Sequence, residues 1–200
     1  MPLRKKYIAL TWLLVSISCL LLSCRNKTRV YQGYYNIDSL IEAQIHYLPS
    51  CKISLAKTTG LNGKVDSIQI LKSDTILWSK ELEVFRQLNV INKPINAHAY
   101  TTKVFPDRKS NLMVQTFIPN KKLPVEYLKI YYHGSSANLR KVEGLYHEEN
   151  MLYGGSRKLL MEFENIYNKI TLVNYSIDGE QKMFLGDSVQ FFLKGRIIIN

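Results

Sequence analysis

The chain has 200 residues, of which 46% are hydrophobic and 22% are charged, so it is long and apolar enough to bury a core and is not a disordered segment. Its formal charge of +11 would suggest nucleic-acid binding in a cytoplasmic protein. The basic pairs are dispersed along the chain, however, as at 121–122, 140–141 and 157–158. They indicate solvated turns rather than one binding stripe.

The N-terminus has the layout of a secretory signal. Three cations at 4–6 precede a mostly apolar run at 8–22, and Ser23 stands directly before Cys24. The run is shorter than the roughly 20 apolar residues that a membrane-spanning helix needs, and hydroxyl residues interrupt it. A cleaved signal is therefore favoured over a retained anchor helix.

The residues Leu21, Leu22, Ser23 and Cys24 resemble the lipobox of bacterial lipoproteins. The resemblance covers only this end of the chain. It implies that the Cys24 thiol takes a diacylglyceryl group through a thioether, that the preceding peptide is cut, and that the new amine is acylated. Three acyl chains would hold the protein on its membrane. The alternative is that Cys24 is an ordinary cysteine of a hydrophobic segment.

This interpretation divides the chain into a signal peptide at 1–23, a lipidated tether at 24–33 and one domain at 34–200. Without the signal peptide the chain would keep a charge of +8, because three cations and no acids are lost. Cys51 would be the last unmodified cysteine, so no internal disulfide is expected. Arg25 is not the aspartate that retains enterobacterial lipoproteins in the inner membrane. We expect a lipid-anchored protein of the cell envelope, in the outer membrane facing the periplasm. The natural anions there are phospholipid head groups and acidic glycans, so no nucleic-acid partner is expected.

The first predicted element of the domain is an amphipathic helix from Asn36 to Leu48. Asn36 can cap it, Pro49 ends it, and one face carries the apolar side chains Ile37, Leu40, Ile41, Ile45 and Leu48. Two strands then follow at 52–59 and 65–72. The Asn62 and Gly63 pair between them can supply the positive φ angles of a tight hairpin turn.

A second helix is predicted from Thr75 to Leu88, capped by Asp74 and with Trp78 as a core anchor. After Ala97 the chain reads as strands joined by short turns, which makes successive strands antiparallel neighbours. The predicted fold class is α+β: a curved antiparallel meander, either a half-barrel or a flatter sheet, with two helices packed on its concave face. The expected core contains Trp78, Phe85, Leu128, Ile130, Phe163 and Phe191.

Element order alone makes this arrangement similar in outline to the half-barrel of lipoprotein carriers and related periplasmic lipoproteins. That resemblance implies acyl chains held between the sheet and the helices. The richness in Asn, Lys, Ile and Tyr behind a lipobox also resembles uncharacterised lipoproteins of Bacteroidota. Seven of the thirteen tyrosines lie between Tyr127 and Tyr175, where they either pack a sheet or bind glycan rings or a protein partner.

The chain carries no catalytic motif. The four histidines are isolated, HExxH and GxSxG are absent, and neither a cofactor nor a metal site is expected. We therefore expect a membrane-anchored envelope lipoprotein that acts as a binding or structural module for a lipid, glycan or protein partner. The alternative is an envelope hydrolase or transferase with a site assembled from scattered residues. Its first candidates are His147, Glu148 and Glu149, the densest acid and base cluster of the chain.

Overall fold

The computed structural model describes residues 33–71, 74–183 and 186–199, and within these ranges one antiparallel sheet of nine strands dominates the fold. The strands are β1 Ile53–Leu61, β2 Lys64–Ile70, β3 Tyr100–Pro106, β4 Met113–Pro119, β5 Val125–Tyr132, β6 Leu139–Glu149, β7 Tyr153–Ile166, β8 Lys169–Met183 and β9 Ser188–Ile199. Their order is β2-β1-β9-β8-β7-β6-β5-β4-β3, so the sheet is open and the N-terminal hairpin pairs with the last strand. The predicted α+β class with a curved antiparallel meander is confirmed.

Two α-helices are described, α1 Ile37–Tyr47 and α2 Thr75–Leu82. Both predicted caps are confirmed. The Asn36 side chain accepts a hydrogen bond from the backbone N–H of Ser39 at 3.0 Å, and Asp74 accepts one from Leu77 at 2.8 Å. Each cap satisfies a backbone donor that the first turn of a helix leaves without a partner.

The second helix was predicted to continue to Leu88, and this boundary is wrong. The α-helix ends at Leu82, and a 3-10 helix continues from Glu83 to Asn92. The side chains of Leu82, Phe85, Leu88 and Ile91 are all fully buried and are spaced by three residues. A 3-10 helix has three residues per turn, so it keeps all four on one side, which an α-helix cannot do over this length.

The helices pack on one side of the sheet, which we call the helix face. Trp78, Phe85, Leu128, Ile130 and Phe163 lie in one buried cluster, as predicted. Phe191 is only partly buried and packs against this cluster from its margin. The opposite side of the sheet, the outer face, carries the alternate residues of each strand.

The predicted hairpin turn is confirmed. Asn62 has a φ of 48° and Gly63 a φ of 83°, and the turn joins β1 to β2 at the pair Leu61 and Lys64. The strands are Ile53–Leu61 and Lys64–Ile70, close to the predicted ranges. Positive φ at both central residues gives the turn a twist that matches the strands it joins.

The Tyr175 ring anchors β8 and β9 to the helices. It lies over Gly195 of the neighbouring strand, where a Cβ would come within 2.2 Å of the ring. The Tyr175 hydroxyl donates to Oε2 of Glu81 at 2.7 Å, and the ring meets Phe85 edge-on at 6.0 Å. The ring is held by these contacts and cannot move aside for a larger residue at 195.

We therefore expect Gly195→Ala to destabilise the protein by about 1–3 kcal/mol, the usual cost of adding a methyl group to a filled site. Urea unfolding followed by circular dichroism measures this. Gly154→Ala is the matched control, since a Cβ at 154 would meet nothing within 4 Å. Equal stability of the two variants would contradict the packing described here.

Candidate functional site

The predicted acid and base cluster of His147, Glu148 and Glu149 does not converge on one site. All three belong to β6, so neighbouring side chains point to opposite faces of the sheet. Glu148 lies 2.8 Å from the Arg157 guanidinium, whereas Glu149 lies 2.7 Å from Lys122 and 3.9 Å from His147. The hydrogen bond from Lys122 lowers the pKa of Glu149 below its usual range. The Glu148–Arg157 and Glu149–Lys122 contacts are ion pairs at the end of β6, and they do not form one shared site.

Two further residues that the sequence singles out, Trp78 and Cys51, lie in or beside the core. Trp78 is fully buried in the core. Cys51 is half-buried and unpaired, with its thiol 3.7 Å from the backbone oxygen of Tyr47.

Among residues 33–71, 74–183 and 186–199, no three His, Cys, Asp or Glu side chains are grouped as metal ligands. In the same ranges no helix has the length and apolarity to cross a membrane. The proposed lipidation site, Cys24, lies outside the described residues.

The candidate site is a groove on the outer face, which crosses β7, β8, β9 and β1 near the middle of each strand. Its volume is about 560 Å³, which falls in the range of about 300–1,000 Å³ that is usual for small-molecule sites. We call it the outer groove. Its lining residues are Ala56, Thr58, Leu160, Glu162, Asn174, Tyr175, Ser176, Asp178, Lys194, Gly195 and Arg196.

Strand alternation explains why polar residues line the outer groove. In β8, Tyr175 and Ile177 are buried against the helices, so Asn174, Ser176 and Asp178 face the other way. The strand register then places partners beside them. Asn174 lies between Glu162 and Arg196, and this row crosses three strands.

Two further rows across these strands, through Ser176 and Asp178, also combine polar or charged side chains from neighbouring strands. Ser176 lies between Leu160 of β7 and Lys194 of β9, and Asp178 lies between Lys158 and Phe192. The lining is therefore a patchwork of charged, amide, hydroxyl and apolar side chains. Such a surface can donate and accept hydrogen bonds along the length of a ligand.

The charges of the outer groove balance. Glu162 and Asp178 are its acids, and Lys194 and Arg196 are its bases. The Asn174 side-chain amide donates to Oε2 of Glu162 at 3.2 Å, which orients that carboxylate. A lining with equal numbers of acids and bases suits a neutral or zwitterionic ligand better than a polyanion.

An aromatic patch continues the outer face beyond the groove. The Tyr127 hydroxyl donates to Oε1 of Glu143 at 3.1 Å. Lys129 lies 4.6 Å from the centre of the Tyr127 ring, and Lys141 lies 3.9 Å from that of Tyr131. Burial first, and then the Glu143 charge, raise the pKa of both tyrosines to about 12. We call these five residues the tyrosine patch.

The sequence pattern does not predict the outer groove. Its residues come from four strands, and Thr58 and Arg196 are far apart in the chain although β1 and β9 pair. The alternation in residues 174–178 is a visible signal that one face of this strand is polar. It does not show which strands lie beside it, and the site depends on that pairing.

Comparisons of the chain with protein-family models, with curated proteins and with solved structures gave no significant match.

The tyrosine patch should make the protein sensitive to alkali. The folded state favours neutral Tyr127 and Tyr131, whose pKa is about 12, whereas an unfolded tyrosine ionises near pH 10. Their contribution to stability is therefore present below pH 10 and is lost as the pH rises to about 12. We expect Tyr127→Phe with Tyr131→Phe to flatten this pH dependence, measured by urea unfolding.

A Glu143→Gln variant provides the check. It removes the charge that helps to raise both pKa values, so tyrosinate absorbance should appear at lower pH than in the wild type. If the titrations of the variant and the wild type coincide, Glu143 does not act on the pair.

Proposed function

We propose that this protein is a lipid-anchored binding protein of the bacterial cell envelope, whose outer groove takes a segment of an envelope glycan. Anchoring through Cys24 would place it on the outer membrane, facing the periplasm. The observation that carries the proposal is the outer groove, with a volume of about 560 Å³ and hydrogen-bonding side chains from four strands. It forms on a sheet, so its shape does not depend on mobile loops.

A glycan fits this lining for a chemical reason. Sugar rings present many hydroxyl groups that both donate and accept hydrogen bonds, together with apolar C–H faces. Glu162, Asp178 and Asn174 supply acceptors and an amide, Arg196 supplies donors, and Leu160 supplies an apolar contact. The tyrosine patch extends the same face and offers further rings, which suit a ligand longer than the groove.

A lipid cargo between sheet and helices is less well supported. On the helix face, the side chains of Trp78, Phe85, Leu88, Ile91 and Leu128 are all fully buried. They fill the space that acyl chains would occupy in a carrier. Native cores are close-packed, so such a space would have to open at the expense of these contacts.

The enzymatic alternative gains no support from the site. Glu149 is ion-paired with Lys122 and lies 3.9 Å from His147, whereas Glu148 points to the other face of the sheet and is ion-paired with Arg157. A general acid or base must come within hydrogen-bonding reach of one reacting atom. These three side chains do not share such a position.

The glycan proposal predicts that Glu162→Gln weakens binding. A hydrogen bond to a charged group contributes about 1.5–3 kcal/mol, so the loss should be about tenfold or more in Kd. Full-length protein in detergent micelles is screened against an array of bacterial envelope polysaccharides, and the best ligand is titrated by calorimetry. Glu164→Gln is the matched control, because Glu164 belongs to the same strand but is exposed and lies outside the groove.

Two outcomes would contradict this proposal. One is binding of no polysaccharide by the wild type. The other is binding that Glu162→Gln and Glu164→Gln weaken equally, which would place the ligand elsewhere on the protein.

Lipid anchoring makes a separate prediction. Cys24→Ala should abolish acylation, because the thioether needs the Cys24 sulfur. Intact mass and Triton X-114 partitioning compare the variant with the wild type. The acylated wild type should enter the detergent phase, and its mass should exceed that of the polypeptide without acyl groups. An unacylated wild type, or a variant that keeps the added mass, would contradict the anchor.

A further inference from the structure

The meander brings several connections to the same end of the sheet, which we call the loop end. They are the β1–β2 turn at 62–63, the β4–β5 connection at 120–124 and the β6–β7 turn at 150–152. Antiparallel pairing fixes this arrangement, because every second connection of a meander lies at the same end. The last residue of β8, Met183, lies there too, since it pairs with Tyr153 at the start of β7.

The β6–β7 turn has an unusual tip. Met151 is 92% exposed and Leu152 is 70% exposed, and the two are adjacent. The Asn150 side chain accepts hydrogen bonds from the backbone N–H groups of Leu152 at 2.8 Å and Tyr153 at 3.0 Å, which holds the turn. Turns are normally built from polar residues or glycine, so two apolar side chains held into solvent on a fixed turn call for a partner.

The surroundings of the tip add to the apolar surface. Met183 is 50% exposed, and it lines a groove of about 390 Å³ together with Met151 and Leu152. We call Met151, Leu152 and Met183 the apolar tip. Lys182 and Glu149 also line this groove, so the apolar tip is flanked by one cation and one anion.

Further lysines stand at the same end. Lys121 and Lys122 lie in the β4–β5 connection, which is tied to β6 by a 2.7 Å hydrogen bond from the His147 N–H to the Pro124 oxygen. Lys122 forms an ion pair with Glu149 at the base of the β6–β7 turn. Glu149 and Glu126 both act on Lys122, and Asp187 is exposed beside the start of β9 at the same end. The ion pairs of the described residues do not include Lys121 or Lys182, and these two cations suit an anionic surface rather than a neutral one.

The described chain also begins at the loop end. Tyr34 accepts a hydrogen bond from the Tyr100 N–H at 3.0 Å, and its ring meets Phe117 at 5.6 Å. Tyr100 opens β3 and pairs with Pro119 at the loop end. Gly33 is nine positions after Cys24 in the sequence, and nine residues span at most about 30 Å. A lipid on Cys24 would therefore keep this end of the sheet near the membrane.

We propose that the apolar tip inserts into the anionic phospholipid surface of the membrane that holds the lipid anchor, with Lys121, Lys122 and Lys182 among the head groups. This rests on the proposed anchoring at Cys24. Docking at the loop end leaves the outer groove open to the periplasm, because its residues lie near the middle of the strands. The lipid anchor then gives attachment, and the tip gives orientation.

The test uses acylated full-length protein in vesicles of phosphatidylglycerol and phosphatidylcholine, with bromine on the acyl chains of the quenching lipids. In Met151→Trp the new indole should insert about 5–10 Å into the bilayer. The brominated acyl chains should then quench about half of its fluorescence. Tyr167→Trp is the matched control, because Tyr167 is 88% exposed in the β7–β8 turn at the opposite end of the sheet. Its emission should not change, and neither should that of Trp78, which is fully buried.

Each outcome decides a different claim. Quenching at 151 that exceeds quenching at 167 supports the proposal, and Lys121→Gln with Lys182→Gln should then reduce the quenching at 151. Anchored protein with equal quenching at the two positions, or with none, overturns tip insertion and leaves the anchor standing. Protein that does not float with the vesicles refutes the anchor itself. Vesicles of phosphatidylcholine alone should give less quenching at 151; equal quenching there would overturn the role given to the lysines.

Discussion

The fold depends on a single topological constraint: β2 and β3 follow each other in the chain but form opposite edges of the sheet. Eight strand spacings of about 4.8 Å separate those edges, or about 38 Å along a flat sheet. The eight residues of α2 give about 12 Å, at about 1.5 Å per residue. The ten residues of the 3-10 helix give about 20 Å, at about 2.0 Å per residue. The connection is thus long enough to cross a curved sheet, and it has to cover one face to do so.

Contacts along this connection follow the order of the strands beneath it. Glu81 pairs with Lys57 of β1, and Phe85 meets Tyr175 of β8. Farther on, Gln87 accepts a hydrogen bond from Arg157 of β7, and Leu88 lies over Gly144 of β6. The connection therefore holds the sheet together across its width. It also covers the helix face, so the outer face and the ends of the sheet are the surfaces that stay accessible.

Local signals in the sequence predicted the parts of the fold that depend on neighbouring residues. The caps at Asn36 and Asp74 and the turn at Asn62 and Gly63 each follow from one or two side chains and the backbone beside them. The change from α-helix to 3-10 helix at Leu82 was missed because the spacing of four between Trp78 and Leu82 gives way to a spacing of three. Both spacings fit one amphipathic stripe over a short stretch.

The pairing of β1 with β9 could not be predicted from local pattern, since it joins residues more than a hundred positions apart. The outer groove depends on that pairing, and so it was missed too. The cluster of His147, Glu148 and Glu149 shows the opposite error. Residues that are adjacent in the sequence suggested a site, but a strand sends alternate side chains to opposite faces.

The same residues of β8 and β9 form the floor of the outer groove and part of the core. Tyr175 and Gly195 line the groove, while the Tyr175 ring packs over Gly195 on the helix face and its hydroxyl binds Glu81. Glu81 in turn is only 9% exposed and binds Lys57 at 2.6 Å. The floor of the groove is therefore fixed by the packing of α2, and not by the side chains that would contact a ligand. Because native packing is dense, we expect this floor to be rigid. Under the proposed function, specificity would therefore come from the exposed side chains in the rows of Asn174, Ser176 and Asp178.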